Sequence, residues 1–360
     1  DLFIPDTVTS IGNGAFQGCS GFNGKLKLPT DLKIIRDNTF SDCKSLEGRC
    51  EIPYYVELIG EGAFEQCIHF TGSLIIPNNV ISIKDSAFYK CTGFTGDLMI
   101  PDSVTKIGSY AFFECTGFNG HLRLSNNVKE ISDDLFNHCE NLIGNITIPE
   151  SVTSIGRNAF SFCYAFTGSL EIPNTVKTIS GYAFFQCTGL DGELKISNSL
   201  TKIEDGAFYF CSGLHGSLIL PDNIESIGSF AFSSCTNLNG SLVISESVKA
   251  INDYAFSMCK SFTGSLIIPD SVTSLGRSAF EQCHGFDKEL KLSKSLTQIT
   301  RFSFSLCSSF IGSLVIPKGV TKIESYAFSG CGFNKSLKFS DSVTVINPYA
   351  FQSCSTFVGE

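Results

Sequence analysis

Cysteine is the residue whose type and spacing in this chain most readily suggest chemistry. Fifteen of the sixteen cysteines fall on one ladder, from Cys19, Cys43 and Cys67 to Cys331 and Cys354, in steps of 24 residues with a last step of 23. Stacked steps would bring neighbouring Cα atoms within disulfide range, yet fifteen is odd and the side chains would run parallel. A metal centre needs several ligands converging on one point, and one ligand per step offers little convergence. The remaining reading is a column of small buried hydrophobes. Cys50 favours it, because it stands where neighbouring steps carry Leu26 and Leu74. Buried thiols survive oxidising surroundings, so the count leaves the redox compartment open.

Other reactive groups are scattered. His69, His121, His138, His215 and His284 occupy five different places in the repeat, so no two share a column. Carboxylates sit mostly at outward places. No nucleophile elbow, phosphate-binding loop or H-E-x-x-H pattern occurs. The sequence therefore nominates no catalytic residue, no metal ligand and no cofactor, and an enzyme is not expected.

Composition narrows the class. The chain has 360 residues, is 42% hydrophobic and 17% charged, and carries a formal net charge of -9. That is too apolar for disorder. No apolar run approaches the length needed to cross a membrane as a helix. The negative balance, with scattered Lys, argues against nucleic acid as the main partner. No signal-peptide pattern stands at the start.

The thiols must be positioned by the unit that repeats with them. Units begin at Leu2, Leu26, Cys50 and Leu74, and the fifteenth begins at Leu337. Apolar residues recur at unit positions 1, 3, 7, 10, 14, 15, 18 and 21, and position 15 is Phe throughout, from Phe16 to Phe351. Alternation at positions 1 and 3 predicts a short strand. Pro at position 4, as in Pro29, Pro77 and Pro101, predicts its end. Positions 7 and 10 allow a second extended piece, and A-F-x-x-C has the spacing of one helical or 3₁₀ turn. Gly at position 23, as in Gly72, Gly96 and Gly168, fits a corner at positive φ. One unit cannot bury all these columns alone, but stacked units can. The expectation is one solenoid over residues 1–360. Two irregularities stand out: a missing residue near Cys331-Gly332-Phe333, and Lys288 in place of the corner Gly. In the second half, position 4 alternates Pro173, Ser197, Pro221, Ser245, Pro269 and Ser293, a sign of growth by duplicated pairs.

Packing fixes the core columns, so specificity is expected in the variable ones. Position 2 lies between two inward residues and points outward. It carries two apolar islands, Ile75 with Met99, and Ile219, Val243 and Ile267 with Val315 beyond Lys291. Position 5 beside it supplies Asp102, Asp222, Glu246 and Asp270. An apolar stripe with an acidic edge suits a protein partner carrying basic residues. The plain alternative is that β-branched residues here only favour the strand. Three glycosylation sequons begin at Asn145, Asn239 and Asn334.

The unit x-L-x-I-P-x-x-V-x-x-I-G-x-x-A-F-x-x-C-x-x-F/L resembles the BspA-like, or Treponema-type, leucine-rich repeat over the whole chain. That class usually has one residue fewer per unit. The resemblance implies a right-handed coil with a parallel β-sheet on its concave face and short strands or turns elsewhere. It implies a cell-surface or secreted protein, as in mucosal bacteria and in protozoan parasites such as trichomonads and amoebae. It further implies a non-enzymatic scaffold, an adhesin for host cells, matrix proteins or other microbes. The alternative is a self-assembling surface coat. Solenoids normally carry polar caps. With none visible, the expectation is a fragment of a longer protein, able to associate through its uncapped ends.

Overall fold

Leu98 and Met99 show how one repeat enters the fold. They form a two-residue strand in which Leu98 is buried and Met99 exposed. The strand pairs in parallel with Leu122–Arg123, each residue beside the one 24 places on. The Ile100 amide still donates to the Arg123 carbonyl, and Pro101 follows with no amide to offer. A second strand, Lys106–Ile107, lies at unit positions 9 and 10 with its Ile buried, and pairs with Ser82–Ile83. This is the architecture that the period-two spacing predicts.

The structure is a computed structural model and describes residues 1–358. The chain divides into two compact bodies, Asp1–Gly168 and Ser169–Glu360. Each is a parallel-strand β-solenoid. In the first, Ile34–Ile35, Leu58–Ile59, Ser82–Ile83 and Lys106–Ile107 make one four-stranded sheet. In the second, Lys202–Ile203, Ser226–Ile227, Ala250–Ile251 and Ser274–Leu275 do the same.

In-register stacking lays like residues on like. Phe40, Phe64, Phe88 and Phe112 are fully buried, and consecutive rings stack with centroids 5.4 to 5.5 Å apart. Phe208, Phe232, Phe256 and Phe280 repeat this in the second body at 5.2 to 5.4 Å. Burying one such ring contributes roughly 1.5–3 kcal/mol. The missing residue after Cys331 leaves the neighbouring column intact, since Phe310, Phe333 and Phe357 stack at 5.4 and 5.7 Å.

The A-F-x-x-C segment corrects one expectation. No helical segment, α or 3₁₀, occurs there or elsewhere among the described residues, only isolated hydrogen-bonded turns. The amides alternate in direction instead. Ala63, Glu65 and Cys67 donate three residues back along their own chain, whereas Phe64 and Gln66 donate to Ala87 and Tyr89 of the next repeat. This alternation sets unit positions 13 and 17 at positive φ, as at Tyr110 (58°) and Glu114 (52°). Each such side-chain-bearing residue costs about 1–2 kcal/mol in backbone strain. The inter-repeat hydrogen bonds offset that cost.

Corner glycines divide into two kinds. Gly72, Gly96 and Gly168 have the expected positive φ, at 75°, 80° and 79°. Gly24, Gly120 and Gly240 do not. Lys288 stands at a corner of the second kind and needs no left-handed backbone.

The Pro–Ser alternation has a structural counterpart. First strands pair two by two in the second body: Leu170–Glu171 with Leu194–Lys195, Leu218–Ile219 with Leu242–Val243, Leu266–Ile267 with Leu290–Lys291, and Leu314–Val315 with Leu337–Lys338. Pro precedes the turn in the first member and Ser in the second. Ser197 and Ser293 are buried and donate to the Val176 and Val272 carbonyls of the preceding repeat, each at 2.7 Å.

Candidate binding surface

The thiols, first in line for chemistry, are taken up by the fold. The Cys67 Sγ–H donates to the Phe40 carbonyl at 3.1 Å, and Cys91, Cys115, Cys259 and Cys283 repeat the bond to the Phe 27 residues before them. Each Phe carbonyl thereby accepts two donors, since the Cys67 amide, for example, already bonds the Phe64 carbonyl at 3.1 Å. Burial pushes the thiols of Cys139, Cys235 and Cys307 up to about 12, and that of Cys43 up to about 11. A thiol so raised supplies almost no thiolate nucleophile near neutrality. Cys50 is buried at unit position 1 as a leucine would be. The sequence signalled the burial but not the hydrogen bond.

The histidines are engaged one by one. His138 stacks on Phe162 with centroids 4.2 Å apart and bonds Glu140 at 3.1 Å. His121 lies 3.6 Å from Asp97, and His69 bonds the Lys44 carbonyl. Among the described residues, no three His, Cys, Asp or Glu side chains group to hold a metal.

Every apolar residue singled out at unit position 2 lies on the surface. Ile75 is 69% exposed and Met99 45% in the first body; in the second, Ile219 is 64%, Val243 45%, Ile267 47% and Val315 55% exposed. Ile219 and Val243 are direct partners across a paired strand. Ile267 follows one repeat later, on a strand that pairs forward to Lys291. Val315 pairs with Lys338. In the first body Met99 stands beside Arg123, and Ile75 beside Glu51. Ile75, in an isolated bridge, is therefore not paired with the Leu98–Met99 strand. The three-residue island of the second body is the larger surface.

The acidic column has two characters. Asp102 accepts the Asn126 amide at 2.9 Å and Arg123 Nη2 at 2.7 Å, and the backbone donor holds its carboxyl below the usual range, with Arg123 adding to the effect. Asp270 accepts Lys294 Nζ at 2.8 Å and the Lys294 amide at 3.0 Å, and these bonds lower it likewise. These two carboxylates clasp the next repeat. Asp222 and Glu246 are exposed and enter no ion pair among the described residues.

Shallow clefts open where first strands do not pair. One of about 490 Å³ lies beside the island, lined by Lys195, Asn198, Ile219 and Pro221. Another of about 320 Å³, in the first body, is lined by Lys27, Thr30, Glu51, Tyr54 and Tyr55. Sequence reasoning overlooked Tyr54 and Tyr55, although two aromatics in otherwise polar columns were visible in the repeat alignment. It also overlooked a ridge of rings on the turns. There Phe230 stacks on Tyr254 at 4.7 Å, and the Arg277 guanidinium stands 5.8 Å from Tyr254 and 5.9 Å from Phe302. All three sequon asparagines are exposed. Asn239 and Asn334 already accept the Gly216 and Gly312 amides, at 3.0 and 2.8 Å.

Comparison with known proteins gives this architecture its relatives. The model of the BspA type leucine rich repeat region matches residues 1–116, 44–167, 82–215, 162–286 and 239–358. Among solved structures, a leucine rich cell surface protein from Faecalibacterium prausnitzii A2-165 is 28% identical, with a TM-score of 0.50, over 78% of this chain and 82% of that one. A leucine-rich repeat protein from Bacteroides ovatus is 27% identical, with a TM-score of 0.52, over 77% and 81% of the two chains. No curated protein matches in sequence. With the stacked strands, the Phe and Cys columns and a family match running from the first residue to 358, the chain belongs to the BspA-type leucine-rich-repeat family.

Proposed function

We propose that this protein is a non-enzymatic scaffold at the cell surface or secreted, an adhesin that binds protein through the exposed faces of its first strands. The observation that carries the reading is the island of Ile219, Val243 and Ile267. Three consecutive repeats present half-exposed or more exposed β-branched residues on one face, where single apolar residues would be unremarkable. Asp222 and Glu246 flank it and favour a ligand with basic residues. Family membership supports an interaction scaffold, and the cell-surface relative from Faecalibacterium supports the location. The partner class is a host or microbial surface or matrix protein.

The test is saturable binding of the purified chain to host epithelial cells and immobilised matrix proteins. Saturable binding, weakened by salt because the acids steer a basic partner, is the expected result. Concentration-dependent self-assembly with no binding to any of them would overturn it in favour of a surface coat.

A further inference from the structure

A repeat array carries its own internal control. Unit position 5 is Asp, Asn, Glu, Thr or Lys in fourteen repeats, and position 6 is polar or Gly in the same fourteen. In the third repeat alone they are Tyr54 and Tyr55. The departure has a structural cost. In several other repeats the position 5 side chain caps the next one: Asp6 accepts the Thr30 amide at 2.9 Å and Asn174 accepts the Asn198 amide at 2.8 Å. A tyrosine side chain at that place has no carbonyl or carboxylate oxygen for the task, so that hydrogen bond is forgone. The rings do not pack inside in return, since Tyr54 is 63% and Tyr55 52% exposed.

The two rings stand at 80° to each other with centroids 5.3 Å apart, and together they wall the cleft of about 320 Å³. Leu28, Ile52 and Pro53 also line it. Lys27 and Glu51 line it from neighbouring repeats whose first strands do not pair. Both are exposed, and neither enters an ion pair among the described residues.

From this arrangement we propose that the Tyr54–Tyr55 cleft binds a saccharide, one or two neutral pyranose rings, independently of the protein-binding stripe. The electron-rich face of a tyrosine attracts the polarised C–H groups on one side of a sugar ring. Adjacent sugar hydroxyls accept from the Lys27 ammonium and donate to the Glu51 carboxylate. Opposite charges side by side select against simple ions: a phosphate meets Glu51, and a cation meets Lys27. The cleft's volume is at the small end of ligand sites.

The experiment is saturation-transfer NMR of the chain with methyl glucoside, galactoside, mannoside and fucoside and with the N-acetylhexosamines. It is run beside Tyr54→Ala, Tyr55→Ala and Glu51→Gln, with circular dichroism to confirm folding. Because the rings are exposed, these variants are expected to fold. The expected result is binding of at least one glycoside, weakened by roughly tenfold or more in either Tyr variant. Absence of any glycoside signal, or a signal that the folded Tyr variants keep, would overturn the proposal. So would capture of an apolar peptide at the tyrosines with no glycoside bound.

Discussion

The Cys259 Sγ–H donates to the Phe232 carbonyl at 3.0 Å, across one turn of the solenoid. The same bond recurs up the ladder and changes what the thiols mean. They tie successive repeats together rather than wait for a metal or a substrate. Most are deeply buried, whereas Cys19 and Cys354 are half-buried. A thiol-specific disulfide reagent at neutral pH is therefore expected to label those two first and the rest only on unfolding. Full labelling of the native chain within minutes would contradict the packing.

The same thiols predict alkali sensitivity. In the folded chain burial raises Cys139, Cys235 and Cys307 from the ordinary 9.0 to about 12. Once unfolded, they ionise near their ordinary value. Folding thus favours the protonated form, and this contribution is complete below pH ~9. It is lost as pH climbs from about 9 towards about 12. Urea midpoints should fall steeply across that window. Cys259→Ala should cost about 2 kcal/mol at neutral pH, through a lost hydrogen bond and a small cavity. A flat stability profile between those limits would contradict the account.

Ser293 tests the two-repeat period. Its hydroxyl donates to the buried Val272 carbonyl at 2.7 Å and accepts the Ser295 amide at 3.1 Å. Ser293→Ala leaves both groups without that partner. The expected loss is about 1–3 kcal/mol, read from denaturant unfolding. A neutral substitution would mean that Pro–Ser alternation is only a trace of duplication.

Gly264 and Lys288 make a paired test of the corners. Gly264 has φ +85° and open space around a would-be Cβ, so Gly264→Ala isolates backbone strain. The expected cost is about 1 kcal/mol. Lys288 has no positive φ, and Lys288→Gly should change stability by only a few tenths of a kcal/mol through the unfolded chain. Equal costs at both corners would refute the division into two kinds.

These cases also mark how far the sequence is legible. The Phe column and the first strand could be read directly, because identical residues at a fixed period must stack to be buried. The backbone of A-F-x-x-C could not. Its left-handed positions carry Tyr110, Glu114, Asn158 and Ser278 alike, so no residue type announces them. The conformation comes from hydrogen bonds to the next repeat, which local spacing does not encode. The exposure of Ile219 and Val243 follows from strand alternation. Which acids remain available beside them depends on contacts between repeats, and Asp270 is held by Lys294 where Asp222 is not. Tyr54 and Tyr55 were legible in principle, as departures from a template.

The central claim is that the strand face of the second body is the docking surface. The direct measurement is binding to whichever cell or matrix protein the chain recognises, compared with an Ile219→Glu, Val243→Glu, Ile267→Glu triple variant. Circular dichroism and sizing would establish that the variant is folded and monodisperse. Because all three side chains are exposed, stability should change by less than about 1 kcal/mol. Binding should fall by roughly a hundredfold, as an apolar patch of three anchors is replaced by charge. Equal affinity in the folded variant would contradict the claim and move the binding site to another face.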